Sequence, residues 1–196
     1  ISRILEKNHI RNAVICSKEM CFALMGISIN DTLLDIIVND MIQKTVEINN
    51  CACSAIISNP LSDYLKLADT YQKLKEGFHI RMIRKQQWQY IFLDELQYDR
   101  IMLHISEDTE VHQFIRCKLG PLVEYDRAHD TQLLETLEAL IQNHNSRKLA
   151  AESLFLHRNT MVHRINKIEE VLHCSLDDTE IMEQLEFAIK MKMYAH

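Results

Sequence analysis

Glycine and proline are both scarce in this chain of 196 residues, which contains 3 glycines and 2 prolines. An all-β sandwich or barrel needs a turn roughly every ten residues, so this composition disfavours that class. Too little glycine is present for a glycine-rich phosphate-binding loop. The sequence also lacks an apolar run of about 18 residues and a signal peptide, so we predict neither a membrane span nor export.

Paired metal ligands and catalytic motifs are missing as well. The cysteines include no two pairs at matching intervals, and none of the ten histidines has the spacing of an H-x-x-x-H or HExxH site. A Gly-x-Ser-x-Gly elbow is also absent. We therefore predict no catalytic residue, no metal and no cofactor, and we expect buried thiols in a reducing cytoplasm. The six cysteines are Cys16, Cys21, Cys51, Cys53, Cys117 and Cys174.

The net charge of −6 at pH 7, taken alone, disfavours nucleic acid as a partner. The charge is, however, unevenly distributed along the chain. Between Ser146 and Lys167 there are five basic residues and one acidic residue, whereas residues 168–189 carry seven acidic residues and no lysine or arginine. A basic segment on an acidic background is typical of an element that contacts DNA phosphates. The local excess of basic residues therefore favours a nucleic-acid partner, in contrast to the net charge of the whole chain.

The first half of the chain mixes short apolar runs with amphipathic stretches. The runs have the length and alternation of strands, and the amphipathic stretches have helical spacing. Gly77 is expected to end the second helix as a C-cap. The order predicts an α+β fold with helices packed on a mostly antiparallel sheet. Strands are predicted at residues 13–16, 20–25, 51–58 and 89–93, and helices at about 31–49 and 64–76.

The second half is predicted to be entirely helical, with a break at Gly120-Pro121. We predict an α+β domain over residues 1–118 and a helical domain over residues 119–196. Because the chain begins with Ile1 and not with Met, we expect a fragment of a longer protein. If the fragment begins within the first domain, that domain lacks its first strand and leaves a sheet edge for another chain to cover. The helices are expected near residues 97–105, 108–118, 130–143, 147–154, 158–172 and 178–193.

Residues 147–172 have the pattern of a helix-turn-helix. Ser146 is a candidate N-cap for a short helix with a buried face at Leu149, Ala150 and Leu154, and the tight turn 155–157 leads into a second helix. That helix has an apolar stripe on one side and polar and basic residues on the other. The alternative is an ordinary helical hairpin whose basic face is only solvated. The apolar stripe consists of Met161, Ile165, Ile168 and Leu172.

A family resemblance supports the first interpretation. From Ala150 to Ile168 the chain has A-A-x-x-L-x-L-H-R-N-T-M-x-H-R-I-x-K-I, which resembles the C-terminal helix-turn-helix of the PucR and CdaR (sugar-diacid regulator) transcription factors. The upstream L-x-x-Y-D at 122–126 and the helix around residues 133–137 are similar to the lead-in of that family. Two departures are His163, where the family usually has Tyr, and Phe155, at a turn position where many helix-turn-helix proteins have Gly.

The resemblance implies that the second helix enters the major groove of double-stranded DNA, and that the start of the first helix contacts phosphates. Two alternatives stay open. Thr160 is either a DNA contact or a hydroxyl that satisfies the start of the helix, and Arg164 either contacts DNA or pairs with Glu152 or Glu169. The predicted DNA-binding residues are Ser146, Arg147, Lys148, His157, Arg158, Asn159, Thr160, His163, Arg164 and Lys167.

Residues 54–58 followed by 67–77 look like the closing strand and helix of a GGDEF-type nucleotide cyclase domain, which has a ferredoxin-like antiparallel sheet. PucR/CdaR regulators commonly carry such a domain before the helix-turn-helix. Here the hairpin turn at 17–20 has no glycine, and Glu19 is its only carboxylate. Since two-metal phosphoryl chemistry needs several converging carboxylates, the resemblance implies a catalytically inactive domain with a regulatory or dimerisation role.

These observations together predict a cytoplasmic, homodimeric transcription regulator, not an enzyme. It would bind operator DNA through the recognition helix 158–172 and respond to a small-molecule effector that the sequence does not identify. Two alternatives without direct DNA binding stay open. One is a module that docks a protein through its acidic last helix, and the other is a nucleotide-sensing or residual enzymatic role for the first half.

Overall fold

A computed structural model of the chain describes residues 1–16, 20–26, 31–50, 53–85 and 89–195. The chain divides into two compact units, Ile1–Gln97 and Tyr98–His196. The described part of the first unit contains both strands and helices, and that of the second contains helices. This division lies before the predicted boundary between residues 118 and 119, which falls within a helix of the second unit.

The first unit begins with a short helix, α1 (Ser2–Lys7), followed by an antiparallel pair of strands, β1 (Arg11–Cys16) and β2 (Cys21–Gly26). Arg11 pairs with Gly26 and Cys16 with Cys21, so the predicted pairing of two adjacent strands is confirmed. The predicted turn at 17–20 lies, for residues 17–19, outside the described residues. Helix α2 (Asp31–Asn49) follows, and its Ile37 is buried with Leu5 and Ile10.

The remaining two strands form a second, parallel pair. Strand β3 (Ala55–Ile57) lies beside β4 (Tyr90–Phe92), with Ala55 opposite Tyr90. A parallel pair requires a crossover, which here contains helix α3 (Leu67–Arg84). The described strands therefore form two separate two-stranded sheets, and not the single, mostly antiparallel sheet that was predicted. The first predicted residues of the third strand, 51–52, lie outside the described residues.

The prediction that Gly77 ends its helix as a C-cap is wrong. Helix α3 continues to Arg84 and ends with Lys85 in the left-handed conformation, at φ 50°. Gly77 is buried, and a Cβ atom at this position would lie 2.7 Å from Cδ1 of Ile56 and 3.0 Å from Cδ1 of Leu96. The missing side chain therefore allows α3 to lie against β3 and the 3-10 turn Leu93–Leu96.

The cysteines also depart from the expectation of buried thiols. Cys16 and Cys21 are exposed and joined by a disulfide across the hairpin. Cys117 is a free, exposed thiol, and Cys53 and Cys174 are half-buried. The expectation is therefore wrong for at least three of the five cysteines that the structure describes, because apolar neighbours in sequence did not bring these side chains into a core.

The second unit is a bundle of helices that includes one long helix, α5 (Thr109–His129). The predicted break at Gly120-Pro121 is wrong, because α5 continues through Pro121. Asp108 caps its start by accepting the Glu110 N–H at 2.8 Å, and Asp130 ends it at φ 52°. The other helices are α4 (Gln97–Ser106), α6 (Leu133–Gln142), α7 (Arg147–Ser153), α8 (Arg158–Leu172) and α9 (Thr179–Tyr194).

A single apolar core joins α5 to the last four helices. The end of α9 is held by a buried polar contact, because the Tyr194 hydroxyl donates to the Asp99 carboxylate of α4. Among the described residues, no helix combines the length and apolar character needed to span a bilayer. The largest fully buried side chains of the core are Leu119, Leu122, Leu137, Met161, Ile165, Ile168 and Leu185.

Candidate nucleic-acid interface

The helix-turn-helix predicted from the sequence is present as α7, a turn and α8. Ser146 is the N-cap of α7, as predicted, and its hydroxyl accepts the Leu149 N–H at 3.4 Å. Ala150 and Ala151 are buried in the core that α7 shares with α8, which their small side chains allow. Leu149 differs from its prediction, since 48% of its surface is exposed.

The turn between the two helices has the backbone that glycine usually provides. Phe155 has φ 54°, in the left-handed region, and its N–H donates to the Glu152 carbonyl at 3.1 Å. The Leu156 N–H donates to the Ala151 carbonyl at 2.8 Å, which ends α7 and turns the chain into α8. The Phe155 side chain is 97% exposed, so the strained conformation is not compensated by burial within the chain.

His157 caps the start of α8. Its Nδ1 accepts the Asn159 N–H at 3.3 Å, which requires an imidazole that is not protonated at Nδ1. Thr160, which the sequence offered as one way to satisfy the start of this helix, is exposed, and the cap belongs to His157. Histidine is not among the preferred N-cap residues, so the residue type did not predict this cap. Only the position of His157, directly before the helix predicted to begin at Arg158, indicated it.

Helix α8 has a buried face and an exposed face, as its spacing predicted. Met161, Ile165 and Ile168 are at most 1% exposed, and Leu172 is half-buried. Val162 and Asn166 belong to the exposed face and were missing from the predicted site. The helical spacing had already placed Asn166 on this side, and the same phase identifies Val162, which lies four residues after Arg158. The exposed residues in the first turns are Arg158, Asn159, Thr160, Val162, His163 and Asn166.

Arg164, by contrast, points toward the protein. Its guanidinium donates to the Thr136 hydroxyl and to Oε1 of Gln132, both at 3.1 Å. In these contacts the Arg164 guanidinium does not donate to Glu152 or Glu169, the two partners that the sequence suggested. Arg164 therefore joins the middle of α8 to the start of α6, and Thr136, which is fully buried, is satisfied on both sides because its hydroxyl also donates to the Gln132 carbonyl at 2.7 Å.

Asp126, from the L-x-x-Y-D motif, caps α6 from the preceding helix. Its carboxylate accepts the N–H groups of Leu133 at 2.8 Å and Leu134 at 2.9 Å, and the Thr131 hydroxyl at 2.6 Å. Burial acts to raise the pKa of Asp126, but these hydrogen bonds, together with the positive charge of Arg164, outweigh it and hold the pKa below its ordinary value. The motif thus fixes the α5–α6 corner against which α8 packs.

Tyr125 of the same motif packs against the recognition helix. Its ring stacks on His129, with centroids 4.0 Å apart, and Lys167 Nζ lies 5.3 Å from the ring centroid. Lys167 also forms an ion pair with Glu170 at 2.9 Å, and this hydrogen bond raises the pKa of the lysine above its ordinary value. Lys167, like Arg164, has partners within the protein.

Three other cations lie at the first helix and at the start of the second. Arg147 pairs with Asp177 at 2.9 Å, but both side chains are largely exposed, so the pair is weak and a phosphate can compete for the arginine. Lys148 and Arg158 are exposed. The result is a surface with cations at the start of α7 and of α8 and amides along α8, which is the arrangement that phosphate and base contacts require.

The described residues contain no group of three or more His, Cys, Asp or Glu side chains placed to hold a metal ion.

This geometry defines a helix-turn-helix, and comparison with known proteins gives its type. Residues 133–191, from α6 into α9, match the PucR C-terminal helix-turn-helix domain. The match lies wholly within the helical unit. The chain thus carries a PucR-type helix-turn-helix, as the H-R-N-T run indicated.

The relatives of the chain include two curated proteins of Bacillus subtilis strain 168. The purine catabolism regulatory protein is 32% identical over 91 residues, which are 46% of this chain and 17% of that protein. The proline-responsive transcriptional activator PutR is 31% identical over 133 residues, which are 66% of this chain and 32% of PutR. The chain therefore spans less than a third of the length of either relative.

Proposed function

We propose that the chain is part of a PucR/CdaR-type transcription regulator that binds operator DNA through α8. The observation that carries this proposal is the exposed face at the start of α8, which lies in a PucR-type helix-turn-helix and carries Arg158, Asn159 and His163. The names of two relatives describe a regulatory protein and a transcriptional activator, which supports the same role.

In this proposal the N-terminal turns of α8 enter the major groove, while Ser146, Arg147 and Lys148 contact the phosphates beside it. Backbone N–H groups at the start of α7 add to these contacts. Asp177 must release Arg147 when the phosphate binds, which costs little because the pair is exposed. Arg164 holds α8 against α6, so its effect on DNA binding is positional. The Lys167–Glu170 pair is exposed and weak, like that of Arg147, so Lys167 can also contact a phosphate.

The proposed regulator is a homodimer in the cytoplasm. One protomer offers few free cations on the helix-turn-helix, and acidic residues follow it in sequence, so the affinity of a single copy for DNA is expected to be weak. Two recognition helices on half-sites about one helical turn apart would supply the missing affinity.

The first unit is proposed to be a catalytically inactive GGDEF-like domain with a dimerisation or regulatory role, linked to a small-molecule effector. What supports this is the sequence resemblance of residues 54–58 and 67–77, together with the strand–helix–strand order of β3, α3 and β4. The pairing of the described strands in two separate sheets departs from the single antiparallel sheet that the resemblance implies. The proposal that the chain is not an enzyme rests on the regulatory relatives.

The test is the salt dependence of DNA binding. Duplexes enriched from a randomised library are titrated with the 196-residue chain at salt concentrations between about 50 and 200 mM. We expect the affinity to fall steeply with salt, and Arg158→Ala to weaken binding and reduce the slope of log K against log salt by about 1. Arg116→Ala removes the same charge from an exposed site on α5 and serves as the matched control.

The proposal fails if the affinity does not depend on salt and Arg158→Ala behaves like Arg116→Ala. That result would favour a module that docks a protein through its acidic last helix, which is the alternative without direct DNA binding.

A further inference from the structure

We propose that Asn159, Val162 and Asn166 form the base-contacting stripe of α8 and select A·T base pairs in the operator. This inference rests on the proposed function and names the base composition that the same surface takes. Val162 and Asn166 were not among the DNA-binding residues predicted from the sequence.

The three residues lie together on the exposed side of α8. Asn166 follows Asn159 by seven residues and Val162 by four, spacings that place all three on one side of the helix. All are exposed, and 44% of the Val162 surface is accessible. The opposite side is occupied by Met161, Ile165 and Ile168, which are buried in the core. The stripe therefore faces away from the protein.

The cations of α8 do not share this stripe. Arg164 is directed to Gln132 and Thr136 of the preceding helix region, and Lys167 to Glu170 and the Tyr125 ring. Arg158, at the first position of α8, is exposed and lies at the edge of the stripe. The stripe itself consequently presents two amides and one branched apolar side chain, with the exposed imidazole of His163 beside it.

Amides and apolar groups select different base edges from guanidinium groups. Asparagine pairs in a bidentate manner with N6 and N7 of adenine, and an apolar side chain contacts the thymine methyl, whereas arginine pairs with guanine. The exposed stripe therefore favours adenine opposite Asn159 and Asn166 and a thymine methyl near Val162. A guanine contact is expected only at the edge of the half-site, from Arg158.

The geometry also gives a spacing. Seven residues of α-helix rise about 10 Å, at 1.5 Å per residue, which corresponds to about three base pairs at 3.4 Å each. The next exposed residue on the same side is Glu170, whose negative charge phosphates repel. The base-contacting part of α8 therefore ends before Glu170, and the two selected adenines lie about three base pairs apart.

The experiment is a selection of binding duplexes from a randomised library, using the 196-residue chain and single alanine variants. The wild type is expected to enrich a half-site with adenine at two positions about three base pairs apart. Asn159→Ala and Asn166→Ala should each remove the preference for adenine at one of these positions and keep it at the other. The preference that is lost corresponds to about a 5- to 150-fold difference in affinity between adenine and the wrong base. Neither variant removes a contact that holds the fold, since the His157 cap uses the main chain of Asn159.

Gln142→Ala, which removes an exposed amide from the end of α6, is the matched control and should enrich the wild-type sequence. The inference is overturned, while the proposed function stands, if the wild type enriches a sequence with G·C pairs at these positions. It is equally overturned if both alanine variants keep both adenines. If the wild type binds no duplex, the proposed function fails with it.

Discussion

Removal of the Asp126 carboxylate tests how the recognition helix is supported. Asp126→Ala deletes the acceptor for two main-chain N–H groups of α6 and for the Thr131 hydroxyl. Loss of an N-cap costs about 0.5–2 kcal/mol, and loss of a further hydrogen bond about 1 kcal/mol. Because Asp126 caps two N–H groups and is half-buried, we expect a loss of about 2–3 kcal/mol in the free energy of unfolding of the helical unit.

Thermal unfolding of the full chain measures this loss. For a unit of this size each kcal/mol corresponds to about 4–8 °C in Tm, so a fall of roughly 10–20 °C is expected. Asp108→Ala is the matched control, because Asp108 also caps a helix, with a 2.8 Å bond to the Glu110 N–H at an exposed helix start. Its cost should be about 1 kcal/mol. Equal losses in the two variants would refute the reasoning that Asp126 acts as a tertiary cap.

The pH dependence gives a second readout on Asp126. Its pKa in the folded protein lies below the ordinary value of 3.8, so the unfolded chain binds the proton more readily. The contribution of the carboxylate is therefore complete at pH values above the ordinary pKa and is lost as the pH falls through the folded-state pKa. We expect the stability difference between the wild type and Asp126→Asn to be largest near neutral pH and to shrink below about pH 4. A difference that is constant with pH would contradict this.

Four further substitutions separate local from tertiary effects. Arg164→Ala should weaken DNA binding, because Arg164 donates to Gln132 and Thr136 and so positions α8. In contrast to Arg158→Ala, it should leave the slope of log K against log salt unchanged. A slope reduced by about 1 would instead make Arg164 a phosphate contact. Gly120→Ala, whose Cβ would meet nothing within 4 Å, should stabilise the second unit by about 0.5–1 kcal/mol in denaturant unfolding. Gly77→Ala should lack this gain, because its Cβ would displace the terminal methyls of Ile56 and Leu96, and an equal stabilisation by the two variants would contradict the packing argument. Phe155→Gly should raise the Tm of the helical unit by relieving a left-handed residue that is worth about 1 kcal/mol; an unchanged or lower Tm would show that the exposed ring stabilises the turn.

The recognition helix was largely predictable because its signals are local. The apolar spacing at Met161, Ile165 and Ile168 determines which side is buried, and the same spacing leaves Asn159 and His163 exposed. The bounds of α8 agree with the prediction, since His157 immediately precedes it and the apolar stripe ends at Leu172. The direct role in DNA binding of each residue predicted for the site stays a prediction.

The supporting contacts were not predictable in the same way, because they join residues that are distant in the chain. Arg164 was predicted to contact DNA or, as the alternative, to pair with a nearby glutamate, but the fold brings it to Thr136, 28 residues away. Asp126 was noticed only as part of a motif, and its role as a cap depends on the corner between α5 and α6.

The same distinction between local and tertiary information applies to the few glycines and prolines of the chain. Their low number alone disfavoured an all-β fold, and the structure is mostly helical. Gly77 and Pro121 nevertheless lie inside helices, where the sequence predicted an end or a break. Helical periodicity determines which residues of one helix share a face, because it depends only on neighbours along the chain. Only the tertiary structure decides whether a glycine ends a helix or allows another element to approach it, because that depends on what the fold packs against it.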